Sequence, residues 1–176
     1  MYVSQGWGGI AQIDVSSYRA NCERDKSLTY TTNFENESVM NSMQTAYSFC
    51  RQFLEERDNN FLDIHTLHFS AENLDFPQYR YYGPSMGGTF ALCILSECMK
   101  LEIPGDIAIT GQISGHGELY TVGYLREKIV GAFNNGKSVI YVPQANILES
   151  TELEIEGIEV KPVCDMYQVV EEIWRI

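Results

Sequence analysis

The sequence predicts a single α+β domain that covers residues 1–176. Segments in which apolar and polar residues alternate, as in a strand, are interspersed with segments in which apolar residues recur every three or four positions, as in a helix. No internal repeat or low-complexity linker divides the chain, and 176 residues are enough for one sizeable core. The composition, 44% hydrophobic and 20% charged, is that of a globular protein.

The first half of the chain is predicted to hold strands, one long helix and a loop. The stretches "GGIAQIDVSSY" and "SLTYTT" (27–32) have the alternation of strands. From Glu37 to about Asn59, apolar residues recur at helical spacing and predict an amphipathic helix. "DIHTLHFS" (63–70) is predicted to be another strand, and the polar, proline-containing "AENLDFPQYRYY" an exposed loop.

The second half alternates more regularly between the two periodicities. "GTFALCILSECM" (88–99) is almost entirely apolar and predicts a buried helix. "DIAITGQI" and "ELYTVG" are predicted strands joined by the turn "SGHG" (114–117). A helix is expected from about Tyr124 to Asn134, followed by the strands "SVIYVP" and "IEVKPV" and the closing helix "MYQVVEEIWRI". Several antiparallel neighbours with helices between them define the α+β class.

The formal net charge of −12 restricts the partners of the chain. Nucleic acids and anionic membranes favour clustered positive charge, so neither is predicted to bind. A cationic peptide would be compatible with this charge. Acidic residues that alternate with apolar ones near the C-terminus predict a solvated strand face rather than a metal or partner site; they are Glu152, Glu154, Glu156 and Glu159.

The five cysteines form no CxxC pair and are predicted to be small buried thiols in a reducing compartment; they are Cys22, Cys50, Cys93, Cys98 and Cys164. The N-terminus "MYVSQGWGGI" lacks the basic and long apolar regions of a signal peptide. No run reaches the roughly 18 apolar residues that span a bilayer. The sequence therefore predicts a cytosolic protein.

Ser85 is the first candidate functional residue, because "GPSMG" (83–87) matches the G-x-S-x-G pattern of serine esterases. A serine at the start of a helix can also be only a cap. Gly83, Gly87 and Gly88 would leave room beside the hydroxyl for a peptide backbone, however, and the positive end of the following helix would favour a developing oxyanion. Ser85 is therefore a candidate nucleophile.

A nucleophilic serine needs a base, and the sequence offers two kinds. His116, with Asp106 upstream, would suit an esterase or thioesterase, although the chain is short for the α/β-hydrolase fold. Lys128 lies among apolar residues of a predicted helix, where burial could lower the lysine pKa enough to yield a neutral amine. An ordinary surface lysine paired with Glu127 or a neighbouring carboxylate is the alternative for that position.

Two other histidines raise the question of a metal site. His65 and His68 are three residues apart on a predicted strand, so their side chains would point to opposite faces. Neither they nor the carboxylates have a recognisable ligand spacing, and no metal is predicted.

The serine and lysine motifs together resemble the proteolytic domain of Lon proteases. "GPSMGG", "AITGQISG" and "GYLREKIVGAF" are similar to that family's "GPSAG", "MTGEI" and "GGLKEK" segments, and Ser85 and Lys128 stand 43 positions apart, as in the family. Upstream, "GWGG", "SLTYTT" and "LHFS" are similar to the family's "GLAW…GG", "LTYTG" and "LHVH". The resemblance covers nearly the whole chain.

The resemblance implies a Lon-type α+β fold, a ring-shaped homo-hexamer and a serine endopeptidase that acts on unfolded or tagged proteins. The implied catalytic dyad is Ser85 with Lys128, and Thr110 would hydrogen-bond the lysine. The backbone amides of Ser85 and Met86 would receive the oxyanion. No cofactor is implied in this domain, since ATP would be used by an AAA+ module in cis or in trans, and no phosphate loop is present in the chain.

Several positions depart from the family pattern. Tyr82 stands where an acidic residue is common, Gln112 replaces a glutamate, Met86 an alanine and Tyr124 a glycine. The stretch before "GPS" is longer than usual and rich in tyrosine. A catalytically idle Lon-like domain that serves as an oligomeric assembly platform is therefore the alternative function, although such a platform would need neither Ser85 nor Lys128.

Overall fold

The computed structural model describes residues 2–4, 7–20, 28–31, 34, 36–73, 83–148 and 155–176. The N-terminal strands are β1 (Tyr2–Ser4), β2 (Trp7–Gly9), β3 (Ala11–Arg19) and β4 (Leu28–Tyr30). They are followed by α1 (Glu37–Glu55), α2 (Phe61–Ile64), β5 (His65–Asn73), a 3₁₀ helix (Pro84–Met86) and α3 (Gly87–Met99). The C-terminal elements are β6 (Ile107–Ile109), β7 (Gln112–Ile113), β8 (Leu119–Tyr120), α4 (Leu125–Asn134), β9 (Val139–Pro143), α5 (Gln144–Leu148), β10 (Glu159–Val163) and α6 (Met166–Trp174). The predicted α+β class is confirmed.

The N-terminal sheet has the order β3-β5-β4 and packs against α1 and α3. Strand β3 pairs with β5 in antiparallel register along its whole length, and β4 pairs with the other edge of β5 in parallel. Helix α1 begins where the Asn36 side chain accepts a hydrogen bond from the Ser38 amide. Its apolar stripe is buried in the main core together with most of α3, where eight of thirteen residues are buried, which explains why α3 is largely apolar.

The second sheet, with the order β10-β9-β6, is parallel throughout. Its central strand β9 is buried on both faces, with Ile140 and Val142 facing α4 and Tyr141 facing the main core. Continuous apolar sequence in "VIYV" follows from this burial, as expected for an inner parallel strand. Helix α4, which also packs against β2, completes a smaller hydrophobic cluster on that face.

The predicted strand over residues 106–113 is wrong as a single element. Its two halves belong to different sheets, because β6 pairs with β9 whereas β7 forms a hairpin with β8 through the predicted turn at 114–117. Thr110 and Gly111 lie between them outside any strand. The Thr110 hydroxyl and the Gly111 amide bond to Ser85 instead, as described below.

Other differences lie at element ends. The long helix ends at Glu55 rather than Asn59, and Asp58 has a φ of +54°, which α-helix does not tolerate. The first residues of "DIHTLHFS" belong to α2, while Ala71–Asn73, predicted as loop, extend β5. The rest of that loop, including Tyr79, Tyr81 and Tyr82, lies outside the described residues, as do Cys22, Glu152 and Glu154.

The surface prediction agrees with the structure at the acidic residues it describes, whereas the prediction of buried thiols is confirmed for two of the four described cysteines and is wrong for the exposed Cys164. Glu156 and Glu159 are exposed, and Cys50 and Cys98 are buried. Cys93 is half-buried, whereas Cys164 is exposed; these four thiols are free. Within the described ranges, no helix is long and apolar enough to cross a membrane.

Candidate active site

Ser85 lies at a sharp turn where the chain enters α3. Gly83 has a φ of +86°, a conformation that L side chains rarely adopt, so this glycine is required by the backbone. Pro84 then starts the 3₁₀ helix, where its fixed φ suits a first helical position. Ser85 itself is half-buried while Met86 is buried in the core. The local sequence thus places the Ser85 side chain at the surface of a rigid turn.

The carbonyl oxygen of Ser85 accepts hydrogen bonds from Thr110 and Gly111, the two residues between β6 and β7. The Gly111 amide donates to Ser85 O at 3.0 Å, and Thr110 Oγ1 donates to the same oxygen at 3.3 Å. Thr110 is fully buried, and its amide donates to Tyr141 O of β9 at 3.1 Å. The two residues therefore leave the strand in order to tie the candidate nucleophile to the second sheet.

Two of the glycines predicted to make room for substrate serve the interior of the protein instead. A Cβ on Gly87 would lie 2.8 Å from the Ile113 amide nitrogen, and one on Gly88 would lie 3.1 Å from the Ile109 side chain. Of the three glycines around Ser85, only Gly83 would have open space around an added Cβ. Gly87 and Gly88 thus let the start of α3 pack closely on β6 and β7.

Lys128 occupies a buried position in the first part of α4. Only 5% of its surface is exposed, and it shares the inward face of the helix with Leu125, Ile129 and Ala132. Burial lowers the Lys128 pKa from its ordinary value of 10.5 to about 8, because the apolar surroundings destabilise the charged form. None of the ion pairs among the described residues involves Lys128, so the surface pairing with Glu127 is not observed.

The structure joins Thr110 to Ser85 but not to Lys128. Among the described residues no hydrogen bond links the Lys128 amine to Ser85 or Thr110, and the Thr110 hydroxyl proton is directed to Ser85 O. The lone pairs of Thr110 Oγ1 remain able to accept a hydrogen bond from an amine N–H. In a substrate-free enzyme a nucleophile–base hydrogen bond is often long and tightens when substrate binds. The roles of Ser85, Lys128 and Thr110 stay predictions.

The amides at the start of α3 narrow the choice of oxyanion donors. The Gly87 amide donates to Pro84 O, and the Gly88 amide donates to Gly111 O at 3.1 Å. Neither is free for a ligand, which leaves Ser85 and Met86 as the predicted donors.

His116, the base of the esterase alternative, is exposed in the turn between β7 and β8. No hydrogen bond among the described residues joins its ring to Ser85, and the carboxylate of Asp106 accepts from Ser138 instead. The other two histidines also have separate partners. His65 Nδ1 is 3.0 Å from Phe61 O, and His68 Nδ1 is 2.9 Å from Thr29 Oγ1.

Tyr124, which precedes α4, has a left-handed backbone with a φ of +56° and is 69% exposed. A non-glycine residue pays roughly 1 kcal/mol for this conformation. We expect Tyr124→Gly to be more stable than Tyr124→Ala by about 1 kcal/mol in urea unfolding, since both lack the ring and only alanine keeps the strain. An alanine variant as stable as the glycine variant would contradict the strain at this position.

Comparison with known proteins places the chain in a family. The family model of the Lon protease (S16) C-terminal proteolytic domain matches the sequence over residues 4–175, and the chain belongs to this family. It is 31% identical to a mitochondrial Lon protease homolog of Scheffersomyces stipitis, over 98% of this chain and 16% of that protein. It is 31% identical to a mitochondrial Lon protease homolog of Rattus norvegicus, over 78% of this chain and 15% of that protein. It is 26% identical to a Lon protease of Mycoplasmopsis agalactiae, over 96% of this chain and 17% of that protein.

These matches confirm the predicted family and indicate a peptidase. The chain spans about a sixth of the length of these relatives. Some relatives are named mitochondrial and others are not, so the cytosolic location stays a prediction.

Two residues that touch the candidate site were not predicted from the sequence. Ser42 Oγ donates to Pro84 O at 2.9 Å, and Ser38 Oγ accepts from the Gly83 amide at 3.0 Å. Both lie on α1, far from Ser85 in sequence. The one sequence feature that could have pointed to this contact is Ser42, a polar residue within the apolar stripe of the amphipathic helix α1.

Proposed function

We propose that this chain is the proteolytic domain of a serine endopeptidase in which Lys128 is the general base for Ser85. The observation that carries the proposal is a buried lysine without an ion-pair partner among the described residues. With a pKa of about 8, about a quarter of the Lys128 amines are neutral at pH 7.5, against about one in a thousand for an ordinary lysine. A structural role gives no reason to bury an unpaired charge.

The reaction follows from these groups. Neutral Lys128 accepts the Ser85 hydroxyl proton while Ser85 Oγ attacks the scissile carbonyl. The amides of Ser85 and Met86 stabilise the oxyanion, and the protonated lysine returns its proton to the leaving amine. Water then hydrolyses the acyl-enzyme, with Lys128 again the base. Thr110 orients the lysine through a lone pair of its hydroxyl.

The wider assembly belongs to the same proposal. The substrates are unfolded or tagged proteins, delivered by an AAA+ module in cis or in trans, and the domain assembles as a homo-hexamer without a cofactor of its own. Support comes from the family membership and from the short span of this chain relative to its relatives. The compartment is proposed to be cytosolic, in keeping with the free thiols.

The dependence of cleavage on pH tests the proposal. The rate of casein hydrolysis is expected to rise with pH through a pKa near 8 and then level, because only neutral Lys128 accepts the serine proton. Ser85→Ala supplies the background rate. A profile that still climbs steeply above about pH 10 would contradict a depressed lysine. A folded hexamer with no activity above the Ser85→Ala background would instead favour the assembly platform.

A further inference from the structure

Helix α1 contacts the backbone just before Ser85 through two hydroxyl groups. Ser38 and Ser42 lie one helical turn apart, so their side chains share a face. Ser42 Oγ donates to Pro84 O at 2.9 Å, and the Gly83 amide donates to Ser38 Oγ at 3.0 Å. Backbone groups of two consecutive residues of the serine turn, Gly83 and Pro84, are therefore held by one helix.

The orientation of these hydroxyls is itself fixed. Ser38 Oγ donates its proton to Asn36 Oδ1, so a lone pair is left to accept from the Gly83 amide. The Asn36 side chain is in turn held by the Ser38 amide at the start of α1. Ser42 is 6% exposed, and its hydroxyl donates a second hydrogen bond to Pro84 O, which also accepts from the Gly87 amide.

The opposite side of the turn is held by the second sheet, through the bonds of Gly111 and Thr110 to Ser85 O. Residues 83–85 thus have backbone groups fixed from two directions by elements distant in sequence. Backbone held in this way sets the position of the Ser85 hydroxyl, and small displacements of a reacting group can reduce a rate by up to about a hundredfold.

From this geometry we infer that Ser38 and Ser42 are positioning residues, which hold the Gly83–Pro84 backbone so that Ser85 Oγ points at the substrate carbonyl. The inference rests on the proposed function. Neither residue touches substrate, and each acts through the serine turn. Loss of either hydroxyl is expected to allow the turn to move while substrate binding stays intact.

The test compares Ser38→Ala and Ser42→Ala with wild type. We expect kcat for a peptide substrate to fall about tenfold in each variant while KM changes less than twofold. The affinity for a peptide boronate, which forms a tetrahedral adduct with the serine hydroxyl, is expected to fall in parallel with kcat. Amide hydrogen exchange over residues 83–87 is expected to accelerate.

Ser48→Ala is the matched control, because the exposed Ser48 hydroxyl on the same helix donates only to Gln44 O of its own helix. Its kcat, boronate affinity and exchange should equal those of wild type. Thermal unfolding identifies a misfolded variant, and Ser38, half-exposed in the first helical turn, allows a test that does not disturb the core.

Two results would overturn the inference: a kcat within twofold of wild type in both alanine variants, or unchanged exchange at residues 83–87. Failure of the proposed function has a different signature, since wild type would then hydrolyse no faster than Ser85→Ala. In that case amide hydrogen exchange alone tests the anchoring of the turn. Exchange at residues 83–87 that is as slow in Ser38→Ala and Ser42→Ala as in wild type rejects it.

Discussion

Replacing Lys128 with methionine is expected to abolish peptide hydrolysis and, at the same time, to stabilise the fold. A general base contributes up to about 10⁴-fold, so we expect kcat/KM for casein peptides to fall by about 10³-fold or more. Methionine fills a similar volume without a charge to desolvate. The lowering of the Lys128 pKa from 10.5 to about 8 corresponds to roughly 3 kcal/mol of unfavourable burial that the variant would not carry near neutral pH.

The gain in stability should depend on pH in a defined direction. Below about pH 8 Lys128 is protonated in both states, so the folded protein carries the full cost of the buried charge. Between about pH 8 and 10.5 Lys128 binds more protons in the unfolded chain than in the folded protein. The free energy of unfolding of wild type therefore rises with pH across this range. The difference in unfolding free energy between Lys128→Met and wild type should therefore shrink across that range and vanish above it.

The control for this experiment is Arg126→Met, which removes one cation from an exposed position of the same helix. It should leave both activity and stability near those of wild type. If Lys128→Met keeps its activity while His116→Ala loses it, the lysine dyad is wrong and the esterase-like mechanism gains support. Urea unfolding at several pH values and casein cleavage measure both effects.

The second large effect is expected at Gly87. In a helix, Gly→Ala ordinarily stabilises by up to about 1 kcal/mol. Here the added Cβ would lie 2.7 Å from Ile113 Cγ2, 2.8 Å from the Ile113 amide nitrogen and 3.0 Å from Ser42 Oγ. A backbone atom cannot rotate away, so the start of α3 must shift from β7. We expect Gly87→Ala to lose about 2 kcal/mol of unfolding free energy.

The same shift should affect catalysis, because Gly87 is two residues from Ser85 and its Cβ would also press on Ser42. We expect kcat to fall at least about tenfold, with urea unfolding and peptide hydrolysis as the measurements. Gly105→Ala is the matched control, since its added Cβ meets open space and its φ is not positive. Equal stability and equal kcat in the two variants would refute the close contact at Gly87.

The long helices could be predicted from the sequence because their signals are local. The apolar spacing of α1, α3, α4 and α6 predicted each helix within a few residues of its ends. Short elements were harder to predict: the last two residues of α2 were predicted as strand, and α5 was not predicted. Four or five residues carry too little periodicity to decide an element that tertiary packing can override.

For the candidate site, the sequence identified Ser85, Thr110 and Lys128 as a set, because the family motifs that contain them are contiguous strings of residues. It could not reveal that Thr110 and Gly111 leave the strand to bind Ser85 O, nor that Gly87 makes room for Ile113 rather than for substrate. Those facts depend on how separate elements pair with each other. The residue pattern of a single segment carries no information about its partner.

The sequence by itself therefore determined the α+β class, the family and the residues proposed to carry the chemistry. The tertiary structure decided the environment of those residues. Burial of Lys128 on the inward face of α4 lowers its pKa, and α1 and the segment between β6 and β7 hold the turn of Ser85. The physical reason is that desolvation and hydrogen bonding depend on neighbours in space. Ser42 and Pro84, for example, are hydrogen-bonded although they are 42 positions apart in sequence.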